Sequence, residues 1–525
     1  MNSPERGAVT MATTKESKAV PTEISALEVP QWLAKWDDIK WNPGAHRRKP
    51  PASFYVFSMS AAALRSLCGV YPRTTAERSR GTQDLGTQRR HDPERSKEIA
   101  AFIKFGYPWS DLSEAKRKSG EYQDLRMPGW LPTAIVVNIL GPKDERRGQT
   151  VATSDLVKVS KPGGRPLIHM PASFQSVSWR SQTIPPIEVI DGQHRLWAFE
   201  EANLDGEFQL PVVAFHELDI SWVAYLFYTI NIKPKRINAS LAFDLYPLLR
   251  TEDWLQKFEG PVIYREARAQ ELVDLLWSCP QSPWHKRINM LGEPGAKGLM
   301  VSQAAWIRSL LATFIKSWES PRSRIGGLFG APVGSDEQAL PWSRAEQAAV
   351  LIAAGTQFRE AVAQSKANWA TVLRKQKPLL PINDAKDMAF FGPNTLINQD
   401  QGIRAFLYVV NDLCYMRADK LALSKWGQPD TASTDIEVQV SKAMASLKKT
   451  GLGEFLETLS QDMASFDWRA SDAPELSQDQ RLLKAAYRGS GGYKELRQQL
   501  LNHLASGKGD IAKAAAEVKL SLGYK

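Results

Sequence analysis

The chain has 525 residues and a formal net charge of +10, with 43% hydrophobic and 24% charged residues, enough for two or three domains with apolar cores and not the balance of a disordered protein. No apolar run reaches the roughly 18 residues of a membrane span and the polar N-terminus lacks a signal-peptide core, so a cytoplasmic protein without membrane contact is expected. Scattered cysteines (Cys68, Cys279 and Cys414) exclude a disulfide framework and a cysteine zinc site and read as small buried apolar residues, while the basic balance favours nucleic acid as a partner.

Residues 1–28 are polar and short of aromatics and are expected to be a disordered tail, with Met11 as an alternative start to Met1. From Pro30 the composition changes: Trp32, Trp36 and Trp41 precede a strand, SFYVFSMS, and a short helix, AAALRSLCGV. Three stretches are locally basic, His46–Pro51, Arg73–Arg95 and Lys233–Arg236, and read either as solvated surface or as phosphate contacts. HDPERSKEIAAFIKF is a punctuated helix, with Asp92 as N-cap, Pro93 at its first position, and Ile99, Phe102 and Ile103 on one face. Thr133–Leu140 reads as a buried strand, 141–182 as a polar insertion suited to specificity, and Leu210–Leu218 as another strand before the apolar helix SWVAYLFYTI. Alternating strands and helices give an α/β domain.

Past residue 250 the pattern becomes helical. Ile307, Leu310, Leu311, Phe314, Ile315 and Trp318 recur at helical spacing, and Arg344–Ala363, Gly402–Cys414 and Tyr493–Leu504 repeat the pattern, with Ser320–Gln338 as a loop. Aromatic residues here are expected in the core. Two segments, FFGPNTLINQDQG (Phe390–Gly402) and YRGSGGYKELR (Tyr487–Arg497), combine glycine with aromatic and basic residues before a helix, a layout suited to a phosphate or a base.

The most informative stretch is IEVIDGQHRLWAF, residues 187–199. Ile187, Val189 and Ile190 are strand-like and Leu196–Phe199 begin a helix, so Asp191, Gly192, Gln193, His194 and Arg195 fall between a strand end and a helix start. Free backbone N–H groups and the helix dipole favour an anion there, and glycine permits close approach. Arg195 would offer a two-pronged donor to phosphate and His194 a switchable one. Asp191 is either a metal-directed carboxylate or an acceptor for a ribose or a water. The plain structural alternative is a polar turn, with Asp191 as N-cap and His194 simply hydrogen-bonded.

DGQHR resembles the signature of the DGQHR-domain family, which includes the B proteins of DNA sulfur-modification (Dnd) and 7-deazaguanine DNA-modification (Dpd) gene clusters and is similar to the ParB/sulfiredoxin fold. In sulfiredoxins a reactive cysteine stands between the glycine and the histidine; Gln193 occupies that place here, which argues against sulfur reduction and leaves nucleotide or nucleic-acid phosphate as the expected ligand. The resemblance extends upstream to Gln88, Arg89, Arg95, Ile99 and Ile103, and downstream to Phe227, Ile230, Asn231, Lys233, Lys235, Asn238, Ser240 and Leu241. It implies an α/β N-terminal domain of ParB/sulfiredoxin-like type over 29–250 and a mainly α-helical C-terminal domain over 251–525.

No Walker A loop, zinc-protease, serine-hydrolase or deaminase motif is present. The resemblance then implies a non-Walker ATPase, an accessory protein that uses ATP or another nucleoside triphosphate with Mg2+. It would act in phage defence beside a DNA-modifying enzyme, a transglycosylase-like one that inserts 7-deazaguanine derivatives or a sulfur-transfer complex. Asp191, Gln193, His194 and Arg195 are the expected catalytic residues, with Asp191 also on the metal. Gly192, Gln88, Arg89, Arg95, Asn231 and Lys233 are expected on the nucleotide, and Arg90, Lys235 and Arg236 on DNA. The alternative is a DNA-binding transcriptional regulator of a phosphorothioate operon, in which the same cations contact DNA phosphates. A nuclease is a third option that needs more carboxylates than Asp191 alone.

Overall fold

Apolar runs separated by polar turns in the first half of the chain pair into one six-stranded sheet in the computed structural model. The structure describes residues 20–42, 48–71, 92–120, 122–123, 126–202, 207–232, 238–244, 262–292, 300–316, 325–335, 337–376, 387–427, 433 and 435–524. Its strands are β1 (Leu27–Pro30), β2 (Ser53–Ser60), β3 (Cys68–Gly69), β4 (Ile135–Ile139), β5 (Ile187–Asp191) and β6 (Gln209–His216), in the spatial order β1-β2-β6-β4-β5-β3. β6 runs parallel to β4 and β5 parallel to β3, and the other pairings are antiparallel.

The central strands are apolar on both faces because helices cover both. On one face Ile135, Val137, Ile187, Val189 and Val212 pack with Leu64 of α1 (Ala61–Leu67) and Leu196 of α3 (Gln193–Ala202). On the other, Ile190 and Leu218 pack with Val223 of α4 (Ile220–Ile232), and Val136 and Phe215 lie against this cluster. Helix α2 (Pro93–Phe105) starts as its sequence requires: the Asp92 carboxylate accepts from the Glu94 and Arg95 N–H groups at 3.1 and 3.4 Å.

Of the tail expected to be disordered over 1–28, residues 1–19 lie outside the described residues, and 20–28 carry regular structure. Glu23–Ser25 and Leu27–Pro30 are strands, the first pairing with Leu167–His169, which pairs in turn with Lys158–Ser160. The polar insertion 141–182 therefore carries a small sheet, and the N-terminal segment is its third strand. The insertion also sends Arg146 into the core, where Nε and Nη2 donate to Glu188 of β5 at 3.1 and 2.6 Å. Glu188 is fully buried.

These elements fall in a unit comprising Met1–Lys235, and Arg236–Lys525 forms a second. The helix Ala239–Asp244 belongs to the second unit, where Ser240 Oγ accepts from the Ala304 N–H at 3.1 Å. This unit is built from helices that include Val262–Ser278, Arg344–Gln364, Asp400–Met416, Ile436–Leu447, Gly451–Ala464 and Gly489–Ala505. Trp306, Phe358, Phe390, Phe406 and Trp468 are core residues, with Phe358 stacked on Phe406 at 5.2 Å. The helix at residue 303 stops at Ala312, and a non-helical Thr313 turns Phe314 and Ile315 inward. All three cysteines are buried, and burial pushes the Cys414 thiol up to about 12 and the Cys279 thiol up to about 11. Among the described residues no helix is long and apolar enough to cross a membrane.

The Arg146–Glu188 pair makes a prediction, since removing one partner strands a buried charge. Glu188→Ala should cost about 3–5 kcal/mol in urea unfolding, whereas replacing both residues by leucine should recover most of it. A single variant as stable as the wild type would show that Arg146 is solvated without its partner.

Candidate functional site

The DGQHR residues sit where β5 gives way to α3, as the alternation of apolar and polar residues requires. β5 carries a bulge: Val189 faces Val137 and Asp191 faces Val136, leaving Ile190 as the extra residue. Bulges re-aim side chains beside functional sites. Gly192 then takes φ +96°, a conformation other residues avoid, and a Cβ there would lie 2.7 Å from Ile135 Cδ1. Its carbonyl accepts the Leu196 N–H at 3.0 Å, so glycine both turns the chain and opens the helix.

The polar side chains are tied to the protein more tightly than their sequence suggests. Arg195 Nη2 donates to Asp191 Oδ2 at 2.7 Å, and Nη1 donates to the Thr133 carbonyl at 2.7 Å and to its hydroxyl. Both side chains of the ion pair are about one-fifth exposed. Asp191 is therefore a clamp on Arg195 rather than a bare metal ligand. Among the described residues no three His, Cys, Asp or Glu side chains converge to hold a metal. His194 is buried, and its Nε2 accepts the Asp92 N–H at 3.3 Å, an arrangement that needs an unprotonated nitrogen there. Its carbonyl accepts from the buried Ser96 hydroxyl at 3.3 Å. His194 thus fastens α3 to the start of α2, in place of the switchable phosphate donor expected from sequence. Gln193 is also buried.

All five residues nevertheless line one open cavity of about 460 Å3. Arg95, Glu98, Ile99 and Phe102, successive members of one face of α2, form a second wall, and Phe227 and Asn231 of α4 form a third. Three sequence blocks separated by scores of residues therefore meet at one place. Asn231 Nδ2 donates to the Phe227 carbonyl at 2.9 Å. Arg95 makes no ion pair or side-chain hydrogen bond among the described residues, so its guanidinium is available to a ligand. Sequence reasoning missed Glu98, although its spacing from Arg95 and Phe102 puts it on the same face of α2, and it missed Ser110, Asp111 and Leu131 in this cavity and Thr133 beneath it because the segment 107–133 bears no motif. Gln88, Arg89, Arg90, Lys233, Lys235 and Arg236 lie outside the described residues.

Among the described residues the charges lining the cavity are Arg95 and Arg195 against Glu98, Asp111 and Asp191. The described part of this wall offers cations and carboxylates together. It suits a ligand with a phosphate for Arg95 and a cation of its own near the carboxylates. The two late segments flagged for phosphate or base contact are structural instead. Phe390, Leu396 and Ile397 are buried, and a Cβ at Gly402 would lie 1.8 Å from the Leu396 carbonyl oxygen. Gly489–Gly492 form the first turn of a helix, beside which Arg488 donates to Asp472 at 2.6 Å.

No protein-family model, curated protein or solved structure matches this chain.

Gly192→Ala should destabilise the protein by about 1–3 kcal/mol, because both the positive φ and the Ile135 contact oppose a Cβ. Adding Ile135→Val should restore part of that loss, measured by thermal melting, by removing the steric share alone. Full stability in Gly192→Ala would mean that the turn tolerates another backbone conformation.

Proposed function

We propose that the cavity at the DGQHR turn binds a magnesium complex of ATP or another nucleoside triphosphate and hydrolyses it. The observation that carries this reading is the convergence of the Arg95 face of α2, the DGQHR turn and the Phe227–Asn231 face of α4 on one cavity. In this reading Arg95 and the N–H groups opening α3 hold phosphate oxygens, and Ile99, Phe102 and Phe227 shield the ligand from water. Arg195, fixed by Asp191 and Thr133, adds charge at a set position. A cavity carboxylate, Asp111 or Asp191, orients the water that attacks the terminal phosphorus; the bond to the leaving diphosphate breaks and the water's proton passes to the released phosphate. In this reading magnesium enters with the substrate, bound to its phosphates. The resemblance in the motifs supports an activity beside a DNA-modifying enzyme, and the deazaguanine type is preferred. A ParB/sulfiredoxin-like fold for the first unit is part of the same proposal, as is a cytoplasmic setting.

One observation favours a second reading, a DNA-binding regulator without turnover. Asp191, His194 and Arg195 each already serve the protein's own packing, as a structural turn requires.

Phosphate release from ATP, GTP and CTP, with and without duplex DNA, separates the two. The nucleotidase reading predicts turnover that stops on chelation of magnesium and falls about a hundredfold or more in Arg95→Ala. No release under any condition, with DNA still bound, would establish the regulator instead.

A further inference from the structure

A second cavity, of about 380 Å3, opens elsewhere in the first unit and is walled by aromatic rings. The residues between β1 and β2 supply Trp32, Trp36 and Trp41, and α4 supplies Trp222 and Tyr225. Their rings form a continuous arc. Trp36 stands edge-on to Trp32 at 5.4 Å, Trp32 lies 6.1 Å from Trp41, Trp41 lies 5.9 Å from Trp222, and Trp222 meets Tyr225 edge-on at 5.4 Å. Two of the inner rings are fixed through their indole N–H groups: Trp32 donates to Asp37 at 3.2 Å and Trp222 to the Arg48 carbonyl at 2.8 Å. The outer rings are left open, Trp36 39% and Tyr225 54% exposed. A core cluster would bury such rings, whereas this one lines a space within the roughly 300–1,000 Å3 of small-ligand pockets.

The charges around the cavity choose among occupants. Lys49 Nζ already lies 4.8 Å over the Trp32 ring, and Lys35, Lys40 and Arg48 lie on the same segment, against Asp37, Asp38 and Asp219. Asp37 is held by Lys49 at 2.8 Å, and Asp219 lies 3.6 Å from Arg48. A cationic ligand would meet an aromatic face that the protein's own lysine occupies. A flat uncharged ring that carries a phosphate meets stacking surfaces and cations together. The geometry points to this arc as a stacking site for an unpaired base of single-stranded nucleic acid, with Arg48 and Lys49 on the adjoining backbone phosphates. It is independent of the cavity at the DGQHR turn and of any hydrolysis there.

The test is fluorescence anisotropy of a labelled oligothymidylate of about ten nucleotides, within the span one such platform covers. Unlabelled duplex, thymidine monophosphate and tetramethylammonium serve as competitors. The oligomer should bind, and duplex should compete poorly. Trp36→Ala and Tyr225→Ala should each weaken binding about tenfold, while Trp36→Phe retains most of it. Arg48→Ala should lower the slope of log affinity against log salt by about one. Trp36 and Tyr225 are exposed, so circular dichroism of their variants should match the wild type, and ATP turnover without DNA should be unchanged. Absent oligomer binding, or binding indifferent to both aromatic substitutions, would overturn the proposal. So would competition by tetramethylammonium, or by thymidine monophosphate as effectively as by the oligomer.

Discussion

Arg195 reaches back one helical turn to Asp191 and across to Thr133, and through these contacts it ties the end of β5, the start of α3 and the segment entering β4 into one body. The bridge forms only because Gly192, at φ +96°, lets the chain turn against Ile135 without a Cβ in the way. With the turn fixed, His194 is placed to accept the Asp92 N–H and to receive Ser96, which seats α2 along α3. The cavity is the space that this seating leaves between α2, the turn and α4. Its position and its Arg95 wall thus follow from a glycine and an ion pair.

The same bridge limits the chemistry. A guanidinium committed to a carboxylate and a threonine cannot also be an unrestrained phosphate clamp, and a carboxylate committed to that guanidinium is a poor start for a metal site. Among the described lining residues Arg95, Glu98 and Asp111 make no such ion pair, so a phosphate contact and carboxylates for a ligand's own cation lie beside the bridge. The buried Arg146–Glu188 pair one strand-length behind the turn resembles the bridge in kind, since it joins the polar insertion to β5.

Local signals were legible wherever the chain states its structure over a few neighbours. Asp92-Pro93 announced the start of α2, and the apolar run closed by Gly192 announced the strand, turn and helix at the site. The meeting of Arg95, Phe227 and Asn231 with DGQHR was expected only through family resemblance, because nothing in spacing alone joins them. Partners chosen across the fold left no such trace. Glu188 reads as the polar member of an alternating strand, yet it is buried because Arg146, in an apparently loop-like insertion, reaches it. Glu23–Ser25 has too few apolar residues to declare a strand and is ordered by pairing with Leu167–His169. Trp32, Trp36 and Trp41 gave no hint of a cavity, whose other wall comes from Trp222 and Tyr225. Gly402 and Gly492 look like parts of binding loops in the sequence because close packing and ligand approach demand the same residue.

Calorimetric titration of the magnesium complex of a non-hydrolysable ATP analogue tests the central assignment without depending on turnover. The cavity predicts one saturable site, weakened about tenfold or more in Arg95→Ala with an unchanged melting temperature. No saturable binding to the wild type, or binding that ignores the loss of Arg95, would contradict it.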